Sequence, residues 1–157
     1  MIYFHSSKNN KISLEELSEE LFSFMREEPN CHYNIVIGTD SEPRLDVDDF
    51  VTAVIIHRVG RGGRYFWRRV SLKASKVLRQ RIYQEVLLSL DIAQKLIVKL
   101  KDAKNFDFSF QIHIDVGVNG ATKSMVQEVV GIVRGNGFDV KTKPESFGAS
   151  TVADRHL

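Results

Sequence analysis

Two apolar, β-branched runs in this chain each deliver an aspartate at their C-terminal end, and no other feature constrains the fold as much. Residues 34–40 read Asn-Ile-Val-Ile-Gly-Thr-Asp, and in 106–116 Ile112, Ile114 and Val116 alternate with His113 and Asp115. Both patterns predict buried strands. Ligand sites in open α/β sheets form just outside the C-terminal ends of strands, which is where Asp40 and Asp115 stand.

The neighbouring segments supply the rest of a domain. Ser13, followed three residues later by Glu16, is a capping box that opens a helix over 14–28. Its apolar residues Leu14, Leu17, Leu21, Phe24 and Met25 recur at helical spacing, and Pro29 stops it. An acidic loop over 42–49 follows the first buried strand. Segments 50–58 and 64–72, rich in Val, Ile, Tyr, Phe and Trp, flank a glycine-bearing stretch at 59–63 and predict a hairpin. The longest helical signal covers 77–101, where Leu78, Ile82, Val86, Leu90, Ala93, Ile97 and Leu100 repeat every three or four residues. A helix over 119–134 closes at Gly135, Asn136 and Gly137, a short strand follows at 138–143, and Pro144 precedes a last helix from 147. The order α, β, β, β, α, β, α, β, α predicts an α/β fold. Its five-stranded mixed sheet is a three-strand antiparallel meander plus two parallel strands reached through flanking helices.

Composition narrows the class. With 157 residues, 43% hydrophobic and 27% charged, the chain is of globular type and long enough to fold without a disulfide or metal staple. Cys31 is the lone cysteine, which excludes an intramolecular disulfide and a cysteine-rich zinc site. Cys31 also lacks a basic neighbour other than His32, as a nucleophilic thiol would need. Nothing resembles a secretory leader or a run long enough to cross a bilayer, so the expected compartment is cytoplasmic. The five histidines show no HxxxH-type metal spacing. The stretch 115–120 hints at the phosphate loop of actin-like ATPases, but a Walker lysine and the length for two domains are missing.

Charge is strongly segregated. Residues 1–49 carry 4 basic and 11 acidic side chains, 50–84 carry 9 basic and no acidic ones, and the net charge of the whole chain is only +2. A cationic block of this kind suits a phosphate backbone, although a solvated hairpin face has the same composition. Arg68, Arg69 and Lys73 are its candidate nucleic-acid contacts. Tyr65, Phe66 and Trp67 beside them could stack on bases, except that Phe66 and Trp67 face opposite ways and at least one belongs to the core.

Four carboxylates carry the candidate chemistry. Asp40 and Asp115 converge if their strands lie side by side and parallel, and adjacent carboxylates repel unless a cation sits between them. Taken singly, each is equally an ordinary turn or cap residue. Glu85 lies about 60° from Ile82 around its helix, on the border of the apolar stripe, so it is partly buried and needs a partner. A salt bridge to Arg81, one turn earlier, is the alternative. Asp154 stands among small residues near the C-terminal end of the sequence, where a solvated acid is the ordinary reading.

In chain order these four fall at the end of the first core strand, in the first core helix, at the end of the fourth strand and in the last helix. That arrangement resembles the ribonuclease H-like nuclease superfamily. Residues 37–42 (Ile-Gly-Thr-Asp-Ser-Glu), 113–117 (His-Ile-Asp-Val-Gly), Lys143-Pro144, and Ala149, Ser150 and Val152 to Asp154 look like the bacterial YkuK-type ribonuclease H-like family. The resemblance covers nearly all of a single domain over 1–157, with 1–30 as an extra N-terminal helical extension. It implies that Asp40, Glu85, Asp115 and Asp154 ligate two divalent cations, Mg2+ or Mn2+, in a nuclease that hydrolyses nucleic-acid phosphodiester bonds. The Ser-Glu-Pro after Asp40 departs from the small glycine turn common in ribonucleases H. A non-catalytic module of the same fold that binds nucleic acid or protein is the main alternative. A small-molecule phosphohydrolase, which would not need the cationic hairpin, is a third.

Overall fold

The structure is a computed structural model that describes residues 1–103, 105–143, 145–146, 152–153 and 155–157. Its elements are β1 (Tyr3–Ser6), β2 (Lys11–Ser13), α1 (Leu14–Glu27), β3 (His32–Pro43), β4 (Val47–Arg58), β5 (Gly63–Lys73), α2 (Leu78–Lys99), β6 (Asp107–His113), α3 (Val126–Gly135) and β7 (Asp139–Lys141). A 3-10 turn at Lys123–Met125 leads into α3.

The strands form one seven-stranded mixed sheet in the order β2-β1-β5-β4-β3-β6-β7. Five of them are the expected meander β3-β4-β5 and the parallel strands β6 and β7. The other two correct the five-strand expectation. Residues 3–6 and 11–13 pair with each other, and β1 then adds to the edge of β5. With four and three residues, these strands are too short to show an alternation. The turn between them holds Asn9 at φ 61°, a conformation asparagine tolerates. The N-terminal 30 residues are therefore a hairpin plus a helix, not a helix alone.

The expected acidic loop at 42–49 shrinks to three residues, because β3 runs on to Pro43 and β4 starts at Val47. Asp48 and Asp49 are strand residues and buried. The helix expected over 119–134 begins later, after Gly120 at φ 88° interrupts the approach. The capping box of α1 forms as expected: Ser13 Oγ accepts from the Glu16 N–H, and Glu16 reaches back to the Ser13 N–H, each at 3.1 Å.

Register fixes which side chains share a face. Ile35 pairs Ile56 and Phe110, and Ile37 pairs Val54 and Ile112. These residues pack with Leu17, Leu21 and Phe24 of α1, Val86, Leu90 and Ala93 of α2 and Val129 and Val133 of α3 in one continuous core. Helices α1, α2 and α3 thus cover one side of the sheet. The opposite side carries Asn34, Val36, Gly38 and Asp40 of β3 with Ser109, Gln111 and His113 of β6. There His156 stacks on Trp67 at 4.1 Å between ring centroids, so the C-terminal residues cross this second face.

Candidate active site

Glu85 is the most unusual group of the molecule. It projects from the sheet-facing side of α2 and is only 4% exposed. Ser41, the residue after Asp40, donates its hydroxyl to Oε2, while Oε1 is buried without a hydrogen-bond partner among the described residues. Burial pushes the Glu85 carboxyl up to about 8, and the nearby charges of Asp40 and Asp115 push the same way. Ser41 and Arg81 pull against them and lose. A buried carboxyl without full satisfaction is a costly arrangement, and it needs a cation or a proton to persist.

The sheet explains why Asp40 and Asp115 act on this one group. The last pair of the β3–β6 ladder is Gly38 with His113. Counting two residues onward brings Asp40 level with Asp115, with both side chains on the face opposite the helices. Glu85 comes from the helix side, near enough for the charges of both to act on it. The Asp40 carboxylate accepts from the Ser41 N–H at 2.9 Å, and Asp115 Oδ1 pairs with Lys143 Nζ at 3.1 Å. Each acid therefore has its own neighbour. Among the described residues no three His, Cys, Asp or Glu side chains close on one point in the manner of a formed metal cage. Asp154, the fourth expected member, lies outside the described residues.

The chemistry of the donor set still fits a hard divalent cation. All three acids offer carboxylate oxygen, one oxygen of Glu85 is orphaned, and their mutual repulsion is what a dication relieves.

Two partners were not legible beforehand. Arg81 does not bridge to Glu85 but donates from Nε to Ser41 Oγ at 3.1 Å, so serine mediates between the two. Lys143 comes from beyond β7. The residue type next to Asp40 was the available signal for Ser41, and its partner lies 44 residues away.

The expected cationic contacts divide. Arg68 shares the helix-side face of β5 with Phe66 and Val70, whereas Arg69 points to the other side. Arg69 is already spoken for. Its Nη2 lies 2.5 Å from Asp49 Oδ2, and the same carboxylate takes Arg44 Nε and Ser71 Oγ. The Ser71 hydroxyl, then Arg69 and Arg44, hold the Asp49 carboxyl down to about 2. Arg68 and Lys73 make no ion pair among the described residues, and Lys73 and Arg81 both line a groove of about 370 Å³ beside α2. Phe66 and Trp67 are not free to stack on bases: Phe66 is 3% exposed, and Trp67 lies against both His5 and His156.

A mixed sheet with acids at the adjoining ends of two parallel strands, and a third on the helix that covers them, defines a ribonuclease H-like architecture. The model of the family described as Ribonuclease H-like matches residues 16–157, and the chain belongs to that family. Among curated proteins it is 28% identical, over an aligned length of 163 residues, to the "Uncharacterized protein YkuK" of Bacillus subtilis (strain 168). That alignment covers 97% of this chain and 95% of the relative. No solved structure gives a significant match. Among the described residues no helix is long and apolar enough to cross a membrane.

Proposed function

We propose that this protein is a nuclease that hydrolyses nucleic-acid phosphodiester bonds with Mg2+ or Mn2+ held by Asp40, Glu85 and Asp115, with Asp154 as the fourth ligand. One observation carries the reading: a buried glutamate with an orphaned oxygen, its carboxyl raised to about 8, faced by two aspartates from adjoining strands. Membership of the ribonuclease H-like family supports a nuclease or a nucleic-acid-related role.

In such a site two divalent cations supply water activation at neutral pH and neutralise charge on the departing 3′ oxygen. The chain's own residues do the rest. Ser41 fixes one oxygen of Glu85 and is itself fixed by Arg81, so the carboxyl faces the strand ends in a single orientation. The proton that Glu85 carries at neutral pH leaves when positive charge arrives, which makes loading of the site pH-dependent. Lys73 and Arg68 are the hairpin cations available to hold phosphates. In the reaction water adds to phosphorus, the bond to the leaving oxygen breaks, and that oxygen takes up a proton.

A second reading rests on a specific observation as well. Because the described acids close on no single point, a non-catalytic nucleic-acid-binding module of the same fold also fits. Labelled RNA, DNA, RNA–DNA hybrid and branched DNA, each incubated with magnesium, manganese or chelator beside Asp115→Asn, separate the two. Metal-dependent cutting that vanishes in the variant supports the nuclease. Binding without cutting in any metal supports the module.

A further inference from the structure

We propose that Lys143 is a charge-exchange residue of this site: its ammonium neutralises Asp115 until a divalent cation binds there, and then holds the substrate phosphate. The inference rests on the reading of Asp40, Glu85 and Asp115 given above and adds a residue with two successive partners.

The backbone brings Lys143 there. Beyond the last β6–β7 pair, the Ile114 N–H donates to the Lys141 carbonyl at 2.9 Å and the Lys143 N–H to the Val116 carbonyl at 2.8 Å. Residues 141–143 are thereby fastened along the segment that contains Asp115. The side-chain stem then passes over a position without a side chain, since a Cβ on Gly117 would lie 3.1 Å from Lys143 Cβ. The ammonium ends 3.1 Å from Asp115 Oδ1.

Of the cations near the acids, Arg81 is committed to Ser41 and Arg69 to Asp49. Among the described residues Lys143 is the one in an ion pair with a carboxylate of the site. Its side chain is 55% exposed against 27% for Asp115, so the charged head sits at the mouth of the site on a flexible stem. A half-exposed pair of this kind is weak and is displaced readily, in contrast to a buried one. Once displaced, a lysine offers three donors as a compact charge, which suits a phosphate oxygen.

The test measures Mn2+ affinity of the full chain by electron paramagnetic resonance, with binding of a fluorescent oligonucleotide in Ca2+ followed separately. The variants are Lys143→Ala, Lys143→Arg, Gly117→Val and Asp115→Asn. Removing the competing ammonium should tighten Mn2+ binding roughly two- to five-fold. The same Lys143→Ala change should weaken oligonucleotide binding and lower its salt slope by about 1. Lys143→Arg should restore both towards wild type, and Gly117→Val, which pushes the stem aside, should move both in the direction of Lys143→Ala. Unchanged or weaker Mn2+ binding in Lys143→Ala overturns the inference while leaving the carboxylate site standing. Tighter Mn2+ binding with an unaltered salt slope overturns the phosphate role. If Asp115→Asn binds Mn2+ as well as wild type, the reading of the site itself falls, and this inference with it.

Discussion

The two ends of β3 each bury an ionisable group, and they treat it in opposite ways. At the N-terminal end Arg58 of β4, which pairs with Tyr33, is 8% exposed and held by several partners. Its guanidinium lies 4.0 Å from the centre of the Phe24 ring, donates to Tyr33 Oη at 3.0 Å and to the Phe24 carbonyl at 2.7 Å, and pairs with Glu27 and Glu28. At the C-terminal end Glu85 is 4% exposed, keeps one oxygen without a partner and faces two like charges. A buried charge with several partners ties elements together, here the end of α1 to the sheet. A buried carboxyl with an unpartnered oxygen costs stability, and such groups concentrate where chemistry is done. The contrast separates the structural end of the molecule from its proposed functional end.

The sharpest way to break this contrast is to neutralise each end and compare activity. Asp115→Asn and Glu85→Gln should lower metal-dependent cleavage by more than the roughly 10- to 100-fold that loss of a supporting neighbour costs. Arg58→Ala should leave the cleavage rate of the folded protein unchanged. Turnover measured well below the melting temperature checks both arms.

Stability should invert the order. Arg58→Ala removes a stacked, multiply bonded guanidinium and should cost about 3 kcal/mol, which for a domain of this size lowers the melting temperature by roughly 6 to 12 °C. Glu85→Gln should do the reverse at high pH. Because the folded carboxyl titrates near 8 and the unfolded one near 4.5, the native state holds the extra proton between those values. Stability therefore falls as pH rises through that window, and the glutamine variant escapes the fall. Its melting temperature should exceed wild type at pH 8 and match it at pH 4, as calorimetry at the two pH values will show.

The smallest effects concern the cationic hairpin. Arg68→Ala and Lys73→Ala should each reduce the salt slope of nucleic-acid binding by about 1. Arg69→Ala should change that slope less, because its charge is already taken by Asp49. It should instead raise the pH at which the fold is lost to acid, since the Asp49 carboxyl, held to about 2, contributes stability above its unfolded value of 3.8 that fades as pH falls towards 2. Acid titration followed by circular dichroism checks that second effect.

How far these features could be read from sequence follows the range of the interactions behind them. The meander, α2 and the parallel strands repeat their apolar residues over enough length for the period to show. The angle between Glu85 and Ile82 likewise announced a buried carboxylate. Helical geometry alone offers Arg81 as its partner, however, and the actual partner Ser41 comes from a strand end that only the folded sheet brings near. The β1–β2 hairpin escaped because three or four residues define no period. Asp49 read as loop because Pro43 and four acids surround it, so the neutralisation of Arg69 was invisible in the charge count. Lys143 stands out in sequence only through the family resemblance, and its partner depends on where β7 ends relative to β6.

The central claim is that burial, with the charges of Asp40 and Asp115 adding to it, holds Glu85 protonated near neutral pH and that a divalent cation reverses this. Titration of the Glu85 side-chain carboxyl by 13C nuclear magnetic resonance, with and without Mg2+, tests it most directly. The account predicts a midpoint near 8 that drops steeply when Mg2+ is added. A midpoint at the ordinary 4.5, or a raised one that Mg2+ leaves in place, would contradict it.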